Sequence, residues 1–165
     1  SGQQPYYYAH KPTGRPNPDP KLDSYKARFR HITNTALYPF GHGLTYGKIE
    51  YSDLTQSARS MGMSGEISVS ARITNRGSRE AEEVVQLYTH DRVASITRPV
   101  RELKAFRKVK LAAGQSEVVR FVIRPADLQF YGLANKPVVE PGAFDVWIAP
   151  SAEAEGVHGS FELTA

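Results

Sequence analysis

Hydrophobic and polar residues alternate along most of the chain after Tyr46. The clearest stretch is residues 66–73, where apolar side chains occupy every second position from Ile67 to Ile73. Successive side chains of a strand point to opposite faces, so this spacing predicts a strand with one buried face. The same pattern recurs in four further segments, at residues 81–89, 119–123, 144–148 and 161–163.

Turn-forming residues separate these segments at 75–78, 112–115 and 140–142. Six or seven short strands spaced by turns predict an all-β fold, an antiparallel β-sandwich of the immunoglobulin or fibronectin type III kind. We expect this sandwich to cover residues 46–165. No segment keeps a 3.6-residue apolar period, and only residues 125–130 are expected to form a single helical turn.

Residues 1–45 have a different composition. Five of the 11 prolines fall between Pro5 and Pro20, and closely spaced prolines hold a chain extended without a hydrogen-bonded ladder. We expect a short strand at residues 4–9, followed by a loop to about residue 36. Because a loop of this length is unusual inside a compact domain, we expect it to lie over a neighbouring body.

Residues 37–46 read Leu-Tyr-Pro-Phe-Gly-His-Gly-Leu-Thr-Tyr. Pro39 has no amide hydrogen, and Gly41 and Gly43 favour turns, so a helix is excluded here. The segment is predicted to be a fixed corner that leads into a strand. We call residues 39–43 the corner.

Composition narrows the function classes. The 165 residues include no cysteine, which excludes disulfides and thiolate metal sites, and no apolar run approaches the roughly 20 residues of a membrane-spanning helix. The net charge of +4 is small, and much of the basic excess lies at residues 98–110. The solvated basic face of a strand pair explains this stretch better than a nucleic-acid surface does. No membrane or nucleic-acid partner is therefore expected.

Candidate catalytic groups are sparse. None of the five histidines has metal-ligand spacing from another. The neighbours His90 and Asp91, like the neighbours Glu82 and Glu83, are expected to point to opposite faces of a strand. No catalytic pair, metal or cofactor is predicted. The tyrosines at 6–8 and Trp147 offer rings for stacking on a sugar, but contact with another domain is favoured for both.

Several segments together resemble one enzyme family. They are Gly-Gln-Gln-Pro-Tyr-Tyr-Tyr-Ala-His-Lys-Pro-Thr-Gly-Arg-Pro at 2–16, the segment 36–46, Ser-Ile-Thr-Arg-Pro-Val-Arg-Glu-Leu-Lys-Ala-Phe at 95–106, and Glu-Pro-Gly-Ala-Phe at 140–144. This set is similar to the C-terminal portion of glycoside hydrolase family 3 β-glucosidases, which end in a fibronectin type III-like domain. The resemblance implies that residues 1–45 are the tail of an upstream α/β domain and a linker loop.

The resemblance also implies a division of labour. In this family the nucleophilic Asp and the acid/base Glu lie upstream of the matched segments, so no residue here inherits a catalytic role and the chain alone is expected to be inactive. We expect a non-catalytic module that stabilises the catalytic domains of a β-glucosidase or β-xylosidase, and that supports a homodimer or the rim of an active site acting on an oligosaccharide. The alternatives are a carbohydrate-binding module and an independent adhesion-type sandwich.

The resemblance gives six candidate contacts for the substrate rim or for an adjoining domain: Tyr8, His10, Arg15, Tyr38, Phe40 and His42. The loop at residues 11–36 is hypothesised to reach that rim, because it is long, polar and basic. A periplasmic or extracellular location is expected from the resemblance alone.

Overall fold

The computed structural model describes residues 7–11 and 35–165. Seven strands of seven or more residues form the body of this part of the chain, together with three two-residue strands. The strands are β1 (Ile49–Gln56), β2 (Ser60–Met61), β3 (Ile67–Asn75), β4 (Ala81–Asp91), β5 (Glu102–Leu111), β6 (Ser116–Ile123), β7 (Phe130–Tyr131), β8 (Pro137–Val138), β9 (Gly142–Ala149) and β10 (Val157–Leu163). A single turn of 3₁₀ helix, Pro125–Leu128, follows β6, as the sequence predicted.

Two sheets face each other. One has the strand order β1-β3-β6, and the other has the order β2-β10-β9-β4-β5. All pairs within them are antiparallel except the short parallel contact of β2 with β10. The predicted β-sandwich is therefore confirmed. Strands β7 and β8 form a separate two-stranded sheet.

The alternating apolar residues fill the space between the sheets. Ile67 and Ile73 of β3 are fully buried, as are Val146 and Ile148 of β9. Phe144 and Phe161 stack with ring centroids 5.4 Å apart. Burying a large aliphatic side chain contributes about 1.5–3 kcal/mol, so this layer supplies most of the stability of the fold.

Two polar side chains lie inside this apolar body with their hydrogen bonds satisfied. Asn75 is fully buried at the end of β3, and its Nδ2 donates to the carbonyl oxygens of Arg79, Leu111 and Ala112. The hydroxyl of Tyr51 in β1 donates to Oε1 of Glu83 in β4 at 2.7 Å. This second bond joins one sheet to the other.

The basic strand β5 lies at the edge of its sheet. Arg107 pairs with Glu117, Lys108 pairs with Glu82, and Lys110 pairs with Glu80. Charged side chains on an edge strand discourage pairing with another chain. The basic stretch of the sequence is thus largely balanced by carboxylates.

The predicted strand at residues 4–9 is wrong for the part that the structure describes. Tyr7, Tyr8 and Ala9 form a turn, in which the amide of His10 donates to the carbonyl of Tyr7 at 3.2 Å. A strand needs a neighbouring strand for its backbone groups, and here those groups bond within the turn and to the residues before β5. Residues 4–6 and the predicted loop from residue 12 to residue 34 lie outside the described residues.

Candidate functional site

The face of β4 that points away from the sandwich core is also buried. Val85 and Leu87 face the core, whereas Gln86 and Tyr88 point outward, yet Gln86 is 4% exposed and Tyr88 is 0% exposed. Segments distant in sequence cover them: the corner at residues 39–43, residues 150–154, and residues 7–11. We call this covered face of the five-stranded sheet the outer face.

Gln86 holds two of the covering segments. Its Nε2 donates to the carbonyl oxygen of Gly41 at 3.1 Å and to that of Pro150 at 2.5 Å. Its Oε1 accepts a hydrogen bond of 2.5 Å from the Tyr88 hydroxyl. One buried amide therefore satisfies polar groups from the corner, from the segment after β9 and from its own strand.

The corner is a tight turn. The amide of His42 donates to the carbonyl of Pro39 at 2.9 Å, and Gly41 has a φ of +79°. A positive φ at the third residue of a turn is a glycine position. There is also no room for a side chain, because a Cβ on Gly41 would lie 2.1 Å from Oε1 of Gln86. Both properties explain a glycine at residue 41.

Tyr8 fastens the N-terminal segment to the corner. Its ring stacks on Phe40 with centroids 4.1 Å apart and an interplanar angle of 30°. Its hydroxyl accepts a hydrogen bond from the amide of Leu103, and burial raises the pKa of the Tyr8 hydroxyl. The amide of Val100 donates to the carbonyl of His10 at 3.0 Å. The segment is thus held against the beginning of β5.

Arg101 fixes the remaining segment. Its Nη1 donates to the carbonyl oxygens of Ala152 and Ala154 at 2.9 and 2.6 Å. Its guanidinium carbon lies 4.4 Å from the ring centroid of Trp147, a cation–π arrangement. Burial is the main cause that lowers the pKa of Arg101.

These contacts leave a cavity of about 530 Å³ beside the corner. The structure brings four of the predicted site residues to its wall, together with Arg101 and Glu153; they are Tyr8, His10, Tyr38 and Phe40. His42 instead lines a second cavity of about 380 Å³ on the other side of the corner, although its ring lies 5.3 Å from that of Tyr38. Phe40 borders both cavities. Arg15 lies outside the described residues.

The surface around both cavities is apolar. The side chains that are 68–93% exposed there include Leu37, Tyr38, Leu44, Tyr46 and Phe106. Scattered exposed apolar residues are common, but a group beside two cavities is typical of a surface that contacts another protein body.

Trp147 lies on the same sheet. The His158 ring stacks on it with centroids 4.8 Å apart, and Nε2 of His158 lies 3.0 Å from Oδ1 of Asp145. Arg92 forms two hydrogen bonds to Asp145, of 2.6 and 3.0 Å, and the hydrogen bond from Arg92 is the first cause that lowers the pKa of Asp145. Trp147 is half-buried and already contacts Arg101 and His158 within the chain.

The candidate catalytic neighbours have separate surroundings. Nδ1 of His90 lies 2.7 Å from the carbonyl oxygen of Pro99, while Asp91 accepts a hydrogen bond from the amide of Val93. Glu82 pairs with Lys108 on the surface, and Glu83 accepts from Tyr51. Within residues 7–11 and 35–165, no group of three or more His, Asp or Glu side chains could hold a metal ion, and no helix is long and apolar enough to cross a membrane.

Sequence reasoning missed the residues that organise this face. Neither Gln86 nor Arg101 carries a local signal of burial: Gln86 is a polar residue between two apolar ones, and Arg101 lies in a basic stretch, so both are predicted to be exposed. The bond from Gln86 to Pro150 spans 64 residues, and that from Arg101 to Ala154 spans 53. Only the fold brings these groups together.

Known proteins match both the sequence and the fold. The family model of the fibronectin type III-like domain matches residues 83–152. The chain is 41% identical over 162 residues to the periplasmic β-glucosidase of Salmonella typhimurium, covering 98% of this chain and 21% of the relative. It is 40% identical to a putative β-xylosidase of Formosa agariphila, covering 92% of this chain and 19% of that protein.

A solved structure has a similar fold. The β-glucosidase of Listeria innocua in complex with glucose superposes with a TM-score of 0.85 at 35% identity, over 97% of this chain and 22% of that chain. The chain thus spans about a fifth of the length of the relatives that it matches. It belongs to glycoside hydrolase family 3, and it corresponds to the C-terminal, fibronectin type III-like part of those enzymes.

Proposed function

We propose that this chain is a non-catalytic module of an enzyme that hydrolyses terminal, non-reducing β-D-glucosyl or related β-D-xylosyl residues. The names of the matched relatives, β-glucosidase and β-xylosidase, support this proposal. The nucleophile and the acid then belong to other domains of the same enzyme. We call the complete enzyme the parent.

The module's own task is to stabilise the catalytic domains by covering part of their surface. The observation that carries this proposal is the covered outer face. There Gln86 forms hydrogen bonds to both Gly41 of the corner and Pro150, and the apolar side chains around them are exposed. A corner held this firmly gives the exposed rings of Tyr38 and Phe40 fixed positions. Fixed positions lower the entropy that is lost when another domain packs on them.

Removing the module from the parent tests this task. A parent that lacks residues 46–165 should lose activity on heating much faster than the complete enzyme, because the surface that the module covers becomes exposed to solvent. Its initial rate on 4-nitrophenyl β-D-glucopyranoside, where the truncated enzyme folds, should change less. An unchanged rate of heat inactivation would contradict the stabilising role.

The rim of the active site is a second proposed role. Tyr8, His10, Arg15, Tyr38, Phe40 and His42 are the proposed contacts with substrate or with the adjoining domain. Deleting residues 14–34 from the parent should change its preference between aryl β-glucosides and β-xylosides, or its state of assembly. A homodimer is the assembly that we propose, and light scattering measures it. Unchanged kinetics together with an unchanged assembly would overturn the rim proposal.

We also propose a periplasmic or extracellular location for the parent. A relative that is 41% identical is named as periplasmic, which supports this. Fractionation of cells that express the parent, followed by detection of this module, is the direct measurement.

A further inference from the structure

Arg101 differs from the other arginines of the described residues. Only Arg98 and Arg101 among them are not exposed. Arg98 donates to Glu102 at 2.6 Å, whereas Arg101 has no carboxylate oxygen within 4.0 Å in the part of the chain that the structure describes. Glu153 attracts Arg101 electrostatically, but the two form no ion pair.

The guanidinium of Arg101 is held in place, but only one of its nitrogen atoms donates hydrogen bonds within the described residues. Both of its hydrogen bonds, to Ala152 and Ala154, come from Nη1, and the Trp147 ring lies against it. Its Nε and Nη2 donate no hydrogen bond within the described residues. These two nitrogens form the side of the guanidinium that binds both oxygens of one carboxylate.

Arg101 lines the cavity of about 530 Å³, with the rings of Tyr8, Tyr38 and Phe40 around the same space. Residues Tyr7, Tyr8 and His10 also line it. The relatives that this chain matches are long enough to include a further domain, since the chain covers 21% of one of them. In the parent, a domain that precedes this module is connected to it through Tyr7, which lines the cavity.

We propose that Arg101 receives a carboxylate side chain from the domain that precedes residue 7 in the same polypeptide, when that domain covers the cavity. This inference rests on the proposed function, because it requires a parent with an upstream domain. The aromatic walls exclude water from the pair, and the two carbonyls of residues 152 and 154 keep the guanidinium in place. Arg101 thus supplies a charged contact beside the aromatic residues of this interdomain surface.

A comparison between two proteins tests the pair. The module's folded-to-unfolded ratio is measured by pulse proteolysis in urea, once in the parent and once in the chain on its own, for wild type and for Arg101→Met. Loss of the contacts to Ala152, Ala154 and Trp147 affects both proteins equally. Loss of an interdomain carboxylate affects only the parent. Removing one member of a buried charge pair usually costs about 2 kcal/mol or more, and each 1.4 kcal/mol is a factor of ten, so the ratio should fall at least about 30-fold further in the parent than in the chain alone.

Three further variants sharpen the comparison. Arg101→Lys keeps a charge but not two parallel donors, so it should give an intermediate effect in the parent. Arg72→Met, which removes an exposed ion pair with Asp53 on the other sheet, should lower the ratio equally in both proteins. Glu153→Gln should leave the effect of Arg101→Met in the parent unchanged.

Two results would overturn the inference. One is an equal effect of Arg101→Met in the parent and in the chain alone. The other is that Glu153→Gln alone reproduces the effect of Arg101→Met in the parent, since Glu153 is then the partner. The proposed function fails in a different way: the wild-type module is then no more stable in the parent than on its own. Pulse proteolysis reads all of these without any assay of activity.

Discussion

The side-chain amide nitrogen of Gln86, Nε2, lies 3.1 Å from the carbonyl oxygen of Gly41, which is 45 residues away in the sequence. This hydrogen bond helps to hold the corner on the outer face. Because the same amide also binds the carbonyl of Pro150, one side chain contacts both the corner and the segment after β9, which are also joined by the hydrogen bond from the amide of Ala152 to the carbonyl of Phe40. The exposed rings that we propose to meet the upstream domain are placed by this contact.

Replacing Gln86 with leucine should destabilise the chain by about 2–3 kcal/mol, because buried carbonyl and hydroxyl groups lose their partner. Urea unfolding of the chain measures this, and hydrogen exchange at the His42 amide reports whether the corner loosens first. The matched control is Gln56→Leu. Gln56 donates one hydrogen bond, at the surface, to the carbonyl of Ser160, and we expect its loss to cost below about 1 kcal/mol. Equal losses for the two variants would contradict the role given to Gln86.

The two glycines of the corner should respond differently to alanine. Gly41→Ala places a Cβ 2.1 Å from Oε1 of Gln86 at a φ of +79°, and we expect a loss of at least about 2 kcal/mol. A Cβ on Gly43 meets no atom of the described residues within 4 Å, so Gly43→Ala should change stability by less than about 1 kcal/mol. Both values come from urea unfolding at one pH. A neutral Gly41→Ala variant would show that the corner adopts another conformation.

Asn75 should be intolerant of aspartate. Its Nδ2 donates to carbonyls of three residues, Arg79, Leu111 and Ala112, while its Oδ1 accepts from the amide of Gly77 at 2.9 Å. Aspartate keeps the shape and the acceptor but places an oxygen against those carbonyls. We expect Asn75→Asp to cost about 3 kcal/mol or more, since a buried group is left both unpaired and charged. An unfolding free energy within about 1 kcal/mol of the wild-type value, which is about the error of the measurement, would contradict this prediction.

Neighbouring glutamates should give stability opposite dependences on pH. Burial is the largest cause that raises the pKa of Glu83, so the folded chain binds more protons than the unfolded chain above the ordinary value of 4.5. Stability from this group therefore falls as pH rises from 4.5 through the raised pKa. The hydrogen bond from Lys108 lowers the pKa of Glu82, so its contribution is lost as pH falls below 4.5.

Unfolding free energies of Glu83→Gln and Glu82→Gln, measured across this range, separate the two effects. Glu83→Gln should remove part of the decline above the ordinary pKa, and Glu82→Gln should flatten the acid side. An exchange of these behaviours between the two variants would contradict the environments described for Glu82 and Glu83.

Much of the fold could be predicted because alternation is a local signal. The turn at residues 112–115, in which Gly114 has a φ of +74°, and the single turn of Pro125–Leu128 were predictable for the same reason. The outer face was not predictable. Gln86 and Tyr88 are buried by segments far away in sequence, and a period of two gives no sign of a second covered face.

The resemblance named Tyr8, His10, Tyr38 and Phe40 as candidate contacts with substrate or with an adjoining domain. These four residues line one cavity, and their contacts beyond this chain stay a prediction. The resemblance placed no emphasis on Arg101, whose charge suggested an exposed side chain. The error at residues 7–9 has a related cause, because tyrosines favour strands only where a sheet is present to receive them.

We propose that this chain is a module of a β-glucoside-cleaving enzyme and that the catalytic groups lie in other domains of that enzyme. The most direct measurement is the rate of 4-nitrophenol release from 4-nitrophenyl β-D-glucopyranoside, for the chain alone and for the parent at equal molar concentration. We predict turnover by the parent and a rate equal to buffer for the chain. Turnover by the chain alone, or no release by the parent from this substrate or from the β-xyloside, would contradict the claim.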